Sequence, residues 1–348
     1  MDGSMMRLLV TCIVMALALA GGAPAQTAAA PLRPLAIGVG GTGVFGYLTV
    51  TLAERLGYYR AEGLDVELDN FQGGAKSVEA LIGGSVNMVA GAYDNAVILQ
   101  AKGIYLTTVF TFVHDYGYVF GMAPSRAGTY HGPQDLKGLK IGVTAPGSST
   151  ENLIRILLGK AGLGIAEIAS IGVGTGPGAV LALVSERIDG LVSGEPEVTR
   201  MVMQHQFVPL VDTRTKEGMD YVYGGEAAGA GSITTAAFIT AHRDIVQAYV
   251  NALYRAQLWL HRASPDEIAA AVPKSYWGGD EDVYKAAIAT SRQSFTQDGH
   301  TTEQQARITH DGMVRAGRLP ASLTIDFARS FDDSFVEHAI AAIGPEAK

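Results

Sequence analysis

Ile37-Gly38-Val39-Gly40 begins the stretch that decides the fold: a short apolar run breaks at glycine and a helix-like segment follows. Gly73-Gly74-Ala75-Lys76-Ser77-Val78-Glu79-Ala80-Leu81 then leads into a second apolar run, Val86-Asn87-Met88-Val89-Ala90-Gly91. Further along the chain the same order returns. Ile141-Gly142-Val143-Thr144 leads to Gly176-Pro177-Gly178-Ala179-Val180-Leu181-Ala182-Leu183, and then to Ile188-Asp189-Gly190-Leu191-Val192-Ser193-Gly194. Short apolar runs that alternate with amphipathic helical stretches indicate a parallel sheet covered by helices. The chain is read as α/β, with two doubly wound lobes that close on a small molecule.

Working outward, the first half reads strand, helix, strand, helix, strand and helix from residue 35 to 101, followed by apolar runs at 105–112 and 118–122. The second half repeats the order from 139 to 211. A further strand at 233–240 and the helices behind it have no counterpart there, so they are expected to return to the first lobe. The expected division is residues 33–123 and 229–348 for lobe 1 and 124–228 for lobe 2. Crossings at 121–128 and 223–231 would form a two-strand hinge, which suits closure around a ligand.

Before the first strand, residues 1–25 have the layout of a secretory signal peptide: a short head with Arg7, an apolar run over 8–20, and Ala23-Pro24-Ala25 as a small-residue cleavage site. The run is too short for a membrane span, and no Arg-Arg pair marks the twin-arginine route. Cleavage near Ala25 and a periplasmic location are expected. The single cysteine, Cys12, falls inside the apolar run, so no intrachain disulfide can form. A net charge of −8 without a lysine or arginine block excludes nucleic acid as a partner. The 43 glycines cluster where apolar runs end, as ligand-facing loops would require.

Ala80 to Asn87 carries an A-L-x-x-G-x-x-N pattern, Leu136-Lys137-Gly138 leads into Lys140-Ile141-Gly142-Val143, and Gly147-Ser148-Ser149-Thr150 opens a helix. In these pieces the chain resembles the periplasmic substrate-binding proteins of ABC importers, in the nitrate, sulfonate and taurine branch (SsuA, TauA and THI5-like, NMT1). That branch includes binders of a thiamine pyrimidine precursor. The resemblance implies the type II periplasmic-binding-protein fold, capture of a small solute, and delivery to the transmembrane subunit of an ABC permease. It implies a monomer with no cofactor, no metal and no catalysis.

The ligand site is expected at the carboxyl ends of the strands. Gly41, Thr42 and Phe45 follow the first strand, where free amides, a hydroxyl and an apolar wall would meet a ligand; a tight βα turn is the plain alternative. Gln72, Gly73 and Gly74 open the next helix. Tyr93 is expected to stack on a ligand. Asp94 reads either as a helix cap or as a partner for a ligand amine. Ser148, Ser149 and Thr150 offer hydroxyls and amides at a helix start, the makings of an anion cradle or simply a cap. Gly174, Thr175 and Glu195 lie on the equivalent loops; Glu195 either takes a ligand donor or favours the helix beginning near Pro196. Phe112, Tyr116 and Tyr118 read as core or hinge packing.

The strongest rival is an exported NAD(P)-dependent oxidoreductase. Gly38-Val39-Gly40-Gly41-Thr42-Gly43 fits G-x-G-x-x-G after a strand, with Asp69 ending the next one. The long spacing to Asp69 and the repeated second half weigh against it. No H-E-x-x-H or G-x-S-x-G motif supports hydrolysis. A binding lobe serving a sensor is the third reading. Among ligands, a sulfonate, a taurine-like solute or a carboxylate suits the helix starts, whereas Asp94 and Glu195 favour a zwitterion or a polar heterocycle.

Overall fold

The computed structural model describes residues 31–344. The expected export signal and Cys12 lie outside the described residues. Among the described residues, ten strands fall into two five-stranded sheets. The strands are β1 (Arg33–Val39), β2 (Leu64–Asn70), β3 (Met88–Ala92), β4 (Leu106–Thr111), β5 (Val119–Met122), β6 (Lys140–Val143), β7 (Ala169–Gly172), β8 (Gly190–Ser193), β9 (Val208–Asp212) and β10 (Ala230–Thr235).

The first sheet has the order β2-β1-β3-β10-β4 and the second β7-β6-β8-β5-β9. β1 runs parallel to β2 and β3, and β6 runs parallel to β7 and β8. β10 is antiparallel to both its neighbours, and so is β5. The two lobes therefore share one plan. Each receives a single antiparallel strand, and that strand is the one the chain enters on crossing from the other sheet.

β5 corrects the expected lobe boundary. Because it pairs with β8 and β9, the first crossing runs over 112–118 instead of 121–128, and the second lobe takes the chain up at Val119. All four β5 residues are buried. A strand buried on both faces shows no polar alternation, so its sequence does not reveal which sheet it joins. The second crossing, over 224–229, falls inside the expected segment. At Gly229 the crossings touch backbone to backbone: a Cβ there would lie 2.1 Å from the Asp115 carbonyl oxygen.

The carboxyl-terminal helices do not stay with one lobe either. Arg243–Arg262 packs against Leu48–Arg55 and Ser334–Ile343 beside the first sheet. Glu281–Ser291 instead meets Glu197–Met203 of the second lobe, and Glu303–Arg315 bridges the lobes, meeting Asp94–Gln100 of the first and Ser149–Lys160 and Lys216–Tyr223 of the second. The apolar core follows the same pattern. One cluster joins Ile37, Leu52, Val109 and Tyr249, and another joins Ile141, Leu153 and Ile156 with Tyr93 and Val97 of the first lobe and Met313 of the tail. Among the described residues no helix is long and apolar enough to cross a membrane.

Candidate functional site

Loops leaving the carboxyl ends of the parallel strands in both sheets face one another and touch. The Ala75 amide donates to Ser148 Oγ at 3.2 Å, and the Phe45 amide donates to the Glu195 carbonyl at 3.1 Å. A Cβ on Gly41 would lie 3.1 Å from Thr175 Oγ1, and one on Gly73 would lie 3.2 Å from Ala145 Cβ. The lobes are closed on each other, and the space left between them is small. An inner cavity of about 30 Å³ is walled by Tyr47, Tyr118, Thr144, Thr175, Ser193 and Glu197. A groove of about 250 Å³ lies outside it and shares Val44, Thr175 and Glu197 with it. A third space of about 40 Å³, lined by Phe45, Tyr47, Asp115 and Arg214, runs toward the crossing segments.

The structure brings most of the expected residues to this line. Gly74, Ser148, Ser149, Thr150, Gly174 and Thr175 line the inner cavity. Thr42 and Gln72 line the outer groove, with Gln72 held at a φ of 54°. Gly41 and Gly73 form lobe-to-lobe contacts beside the cavity. Phe45 borders the space toward the crossings, its ring edge-on to Tyr284 at 5.1 Å.

Tyr93 and Asp94 are used differently from expectation, and Glu195 takes one of the two roles read for it. Tyr93 is 1% exposed, and its hydroxyl lies 2.6 Å from Ser330 Oγ, so the side chain belongs to the core and does not stack in the cleft. Asp94 joins the lobes: Ser149 Oγ donates to its Oδ1 and Asn152 Nδ2 to its Oδ2, each at 2.8 Å. Burial raises the Asp94 pKa, and the Asn152 and Ser149 hydrogen bonds oppose that rise. The N-cap of its helix is Tyr93, and Asp94 lines neither the inner cavity nor the outer groove. Glu195 accepts from the Thr199 amide at 3.0 Å and the Thr199 hydroxyl at 2.9 Å, and pairs with Arg214. It serves the helix start, the second of the two roles read for it.

Tyr93→Phe is therefore expected to cost about 1 kcal/mol of stability in denaturant unfolding and to leave solute affinity unchanged. The Ser330 hydroxyl keeps its bond to the Phe327 carbonyl at 2.7 Å. A tenfold loss of affinity would instead place Tyr93 in the cleft.

Sequence reasoning missed Val44, Tyr47, Thr144 and Glu197, and it favoured packing for Tyr118, which lines the inner cavity. Tyr47 ends a short 3-10 turn, Phe45–Tyr47, that breaks the helical phase assumed across this stretch. Its phenol is pushed up by burial and by the Asp94 charge, and drawn down by a hydrogen bond with Tyr118. Glu197 is 8% exposed. Burial pushes its carboxyl up to about 7, its own amide and Arg200 oppose this, and Glu195 adds to it. Glu195 and Glu197 flank Pro196, and only the phase of the helix start decides which of them faces the cleft.

The arrangement can hold a small polar solute by hydroxyls, backbone amides and one carboxylate, with two phenols as a wall. Neither lysine nor arginine lines the inner cavity. Among the described residues no cluster of histidine, cysteine, aspartate and glutamate has the makings of a metal site.

Comparisons with known proteins agree with this plan. The family model described as NMT1/THI5 like matches residues 45–268. A solved structure from Bordetella bronchiseptica RB50 is 35% identical, with a TM-score of 0.84, over 89% of this chain and 98% of its own. The alkanesulfonate-binding protein SsuA from Xanthomonas axonopodis pv. citri, solved bound to MOPS, is 20% identical, with a TM-score of 0.67, over 88% of this chain and 100% of its own. The desulfurization enzyme DSZB is 16% identical, with a TM-score of 0.55, over 89% of this chain and 99% of its own. The last two likenesses concern the fold alone, which is that of the periplasmic binding proteins. DSZB illustrates that the fold by itself does not decide between capture and catalysis.

Proposed function

Because this chain belongs to the NMT1/THI5-like family, we propose that it is an exported solute-binding protein that captures a small organic solute between its lobes and delivers it to an ABC permease. The observation that carries this reading is the convergence of strand-end loops from both sheets on one enclosed polar cavity. The cavity is bounded by residues of both lobes, such as Tyr47 from the first and Glu197 from the second. A solute that touches both lobes binds the closed form better than the open one, and its differential affinity drives closure. The mechanism is capture without bond chemistry. Periplasmic location and a monomeric state belong to the same proposal.

The dinucleotide reading loses support at the loop it depends on. Gly41, in the middle of Gly38-Val39-Gly40-Gly41-Thr42-Gly43, already faces Thr175 of the other lobe at contact distance. A pyrophosphate there would have to displace the opposing lobe.

The test is thermal unfolding of the chain from Gln26 onward with taurine, alkanesulfonates, nitrate, aromatic carboxylates, aminopyrimidines, organic amines and NAD. A solute present at 100 times its dissociation constant adds about 2.7 kcal/mol of stability, enough to move the melting point. A shift with one solute class is the expected result. A shift with NAD alone would replace capture with the oxidoreductase.

A further inference from the structure

Besides Asp115 at the crossing segments, three carboxylates stand where the lobes meet, and two are fully engaged. Asp94 is held by Ser149 and Asn152, and Glu195 by Thr199 and Arg214. Glu197 is the third. It is more than nine-tenths buried, and its own backbone amide is the hydrogen-bond donor it has among the described residues. Its carboxylate is placed over the Gly176 turn, where a Cβ would stand 3.8 Å from Oε1. From there it borders both the inner cavity and the outer groove.

Neither nearby cation hydrogen-bonds this carboxylate, although the charge of Arg200 acts on it. Arg200, on the same short helix, lines the groove, but its Nη2 donates to the Trp277 carbonyl at 2.7 Å. Arg214 pairs with Glu195 and Asp212. The other titratable groups coupled to Glu197 are Glu195, whose charge adds to the rise, and Tyr284, whose phenol the Glu197 charge pushes up. The Arg200 charge offsets part of the cost of burying Glu197, but no side-chain donor bonds the carboxylate, and a buried charge short of hydrogen-bond donors is costly unless something pairs with it. In this cleft the missing partner is best supplied by what the cleft binds.

We infer that the solute presents a positively charged nitrogen with N–H donors, an ammonium or amidinium group, to the Glu197 carboxylate. This rests on the solute-capture reading above and narrows it. The nitrogen enters the inner cavity, which has room for little more than such a head group, while the body of the solute lies in the groove of about 250 Å³ beside Tyr276. Charge-assisted N–H···O bonds are about twice as strong as neutral ones, so Glu197 sets specificity as well as affinity. A purely anionic sulfonate or carboxylate would be placed against a carboxylate of like charge and is disfavoured.

The experiment is isothermal titration of the chain from Gln26 onward with three probes of matched size: benzamidine, benzamide and benzenesulfonate. Butylamine serves as a non-aromatic cation. Each probe is also titrated into Glu197→Gln, whose fold is checked by its circular-dichroism melt. The expected result is that the wild type prefers benzamidine or butylamine over both uncharged and anionic probes by at least tenfold, and that Glu197→Gln removes this preference. Benzenesulfonate binding as tightly as benzamidine would overturn the inference and leave solute capture standing. So would unchanged benzamidine affinity in Glu197→Gln. If neither these probes nor the wider solute panel binds, solute capture fails as well.

Discussion

Asp94→Ala is expected to lower the free energy of unfolding by about 3 kcal/mol, seen as a fall in the denaturant midpoint at unchanged slope. The carboxylate is 1% exposed and receives one hydrogen bond from Ser149 and one from Asn152 across the lobe boundary. Alanine removes the acceptor and leaves both donors buried without partners, at about 1–3 kcal/mol each before any relaxation. Asp94→Asn should cost distinctly less. Asn152 Oδ1 is buried with no partner, so a half-turn of that amide lets it accept from the amide introduced at position 94 while Ser149 keeps its acceptor. The pH dependence has a definite sign. Burial raises the Asp94 pKa, so the wild type loses stability as pH rises through the folded value, whereas the asparagine variant has no proton to lose there. The cost of Asp94→Asn therefore shrinks from acid to alkaline pH. Equal and small costs for both variants would show that the lobes are not held together here. Because Ser149 also lines the inner cavity, Asp94→Ala should weaken solute binding along with stability.

The division between what was legible in the sequence and what was not follows from periodicity. The glycine-broken apolar runs over 37–40 and 141–144 marked strands and their ends, because hydrophobic pattern and glycine geometry are local properties. The loops after them do leave strand ends, and Ser148, Thr150 and Thr175 line the cavity there. The orientation of single side chains was a different matter. Tyr93 and Asp94 follow a strand end just as a ligand residue would, yet one turns into the core and the other bridges to the opposing lobe. That outcome depends on Ser330, Ser149 and Asn152, which are far away in sequence. Similarly, nothing local in Val119–Met122 tells which of two sheets will accept it. Long-range pairing, with no local signature, decided each of these points.

Glu197→Gln should show the opposite sign from Asp94→Ala: it is expected to stabilise the solute-free chain by up to about 3 kcal/mol at pH 8 and to do nothing at pH 5. In the unfolded chain Glu197 titrates near the ordinary glutamate value of 4.5, and in the folded chain burial lifts it to about 7. At pH 5 the folded carboxyl is protonated and neutral, so glutamine replaces it almost without consequence. Between these two values the folded state keeps a proton that the unfolded state has released, and stability falls as pH rises. Above about pH 7 both states are ionised and the full penalty of the buried charge is present. Glutamine escapes it. Thermal melts of the two proteins at pH 5, 6, 7 and 8 should therefore coincide in acid and diverge progressively toward alkaline pH, with the variant melting higher. Coincident curves across the range would mean that Glu197 is solvated or already paired, and would remove the reason for assigning it to a solute. A variant that gains stability while losing affinity for a cation has a straightforward physical meaning. A charge whose burial weakens the empty fold is the charge that a ligand of opposite sign would complete.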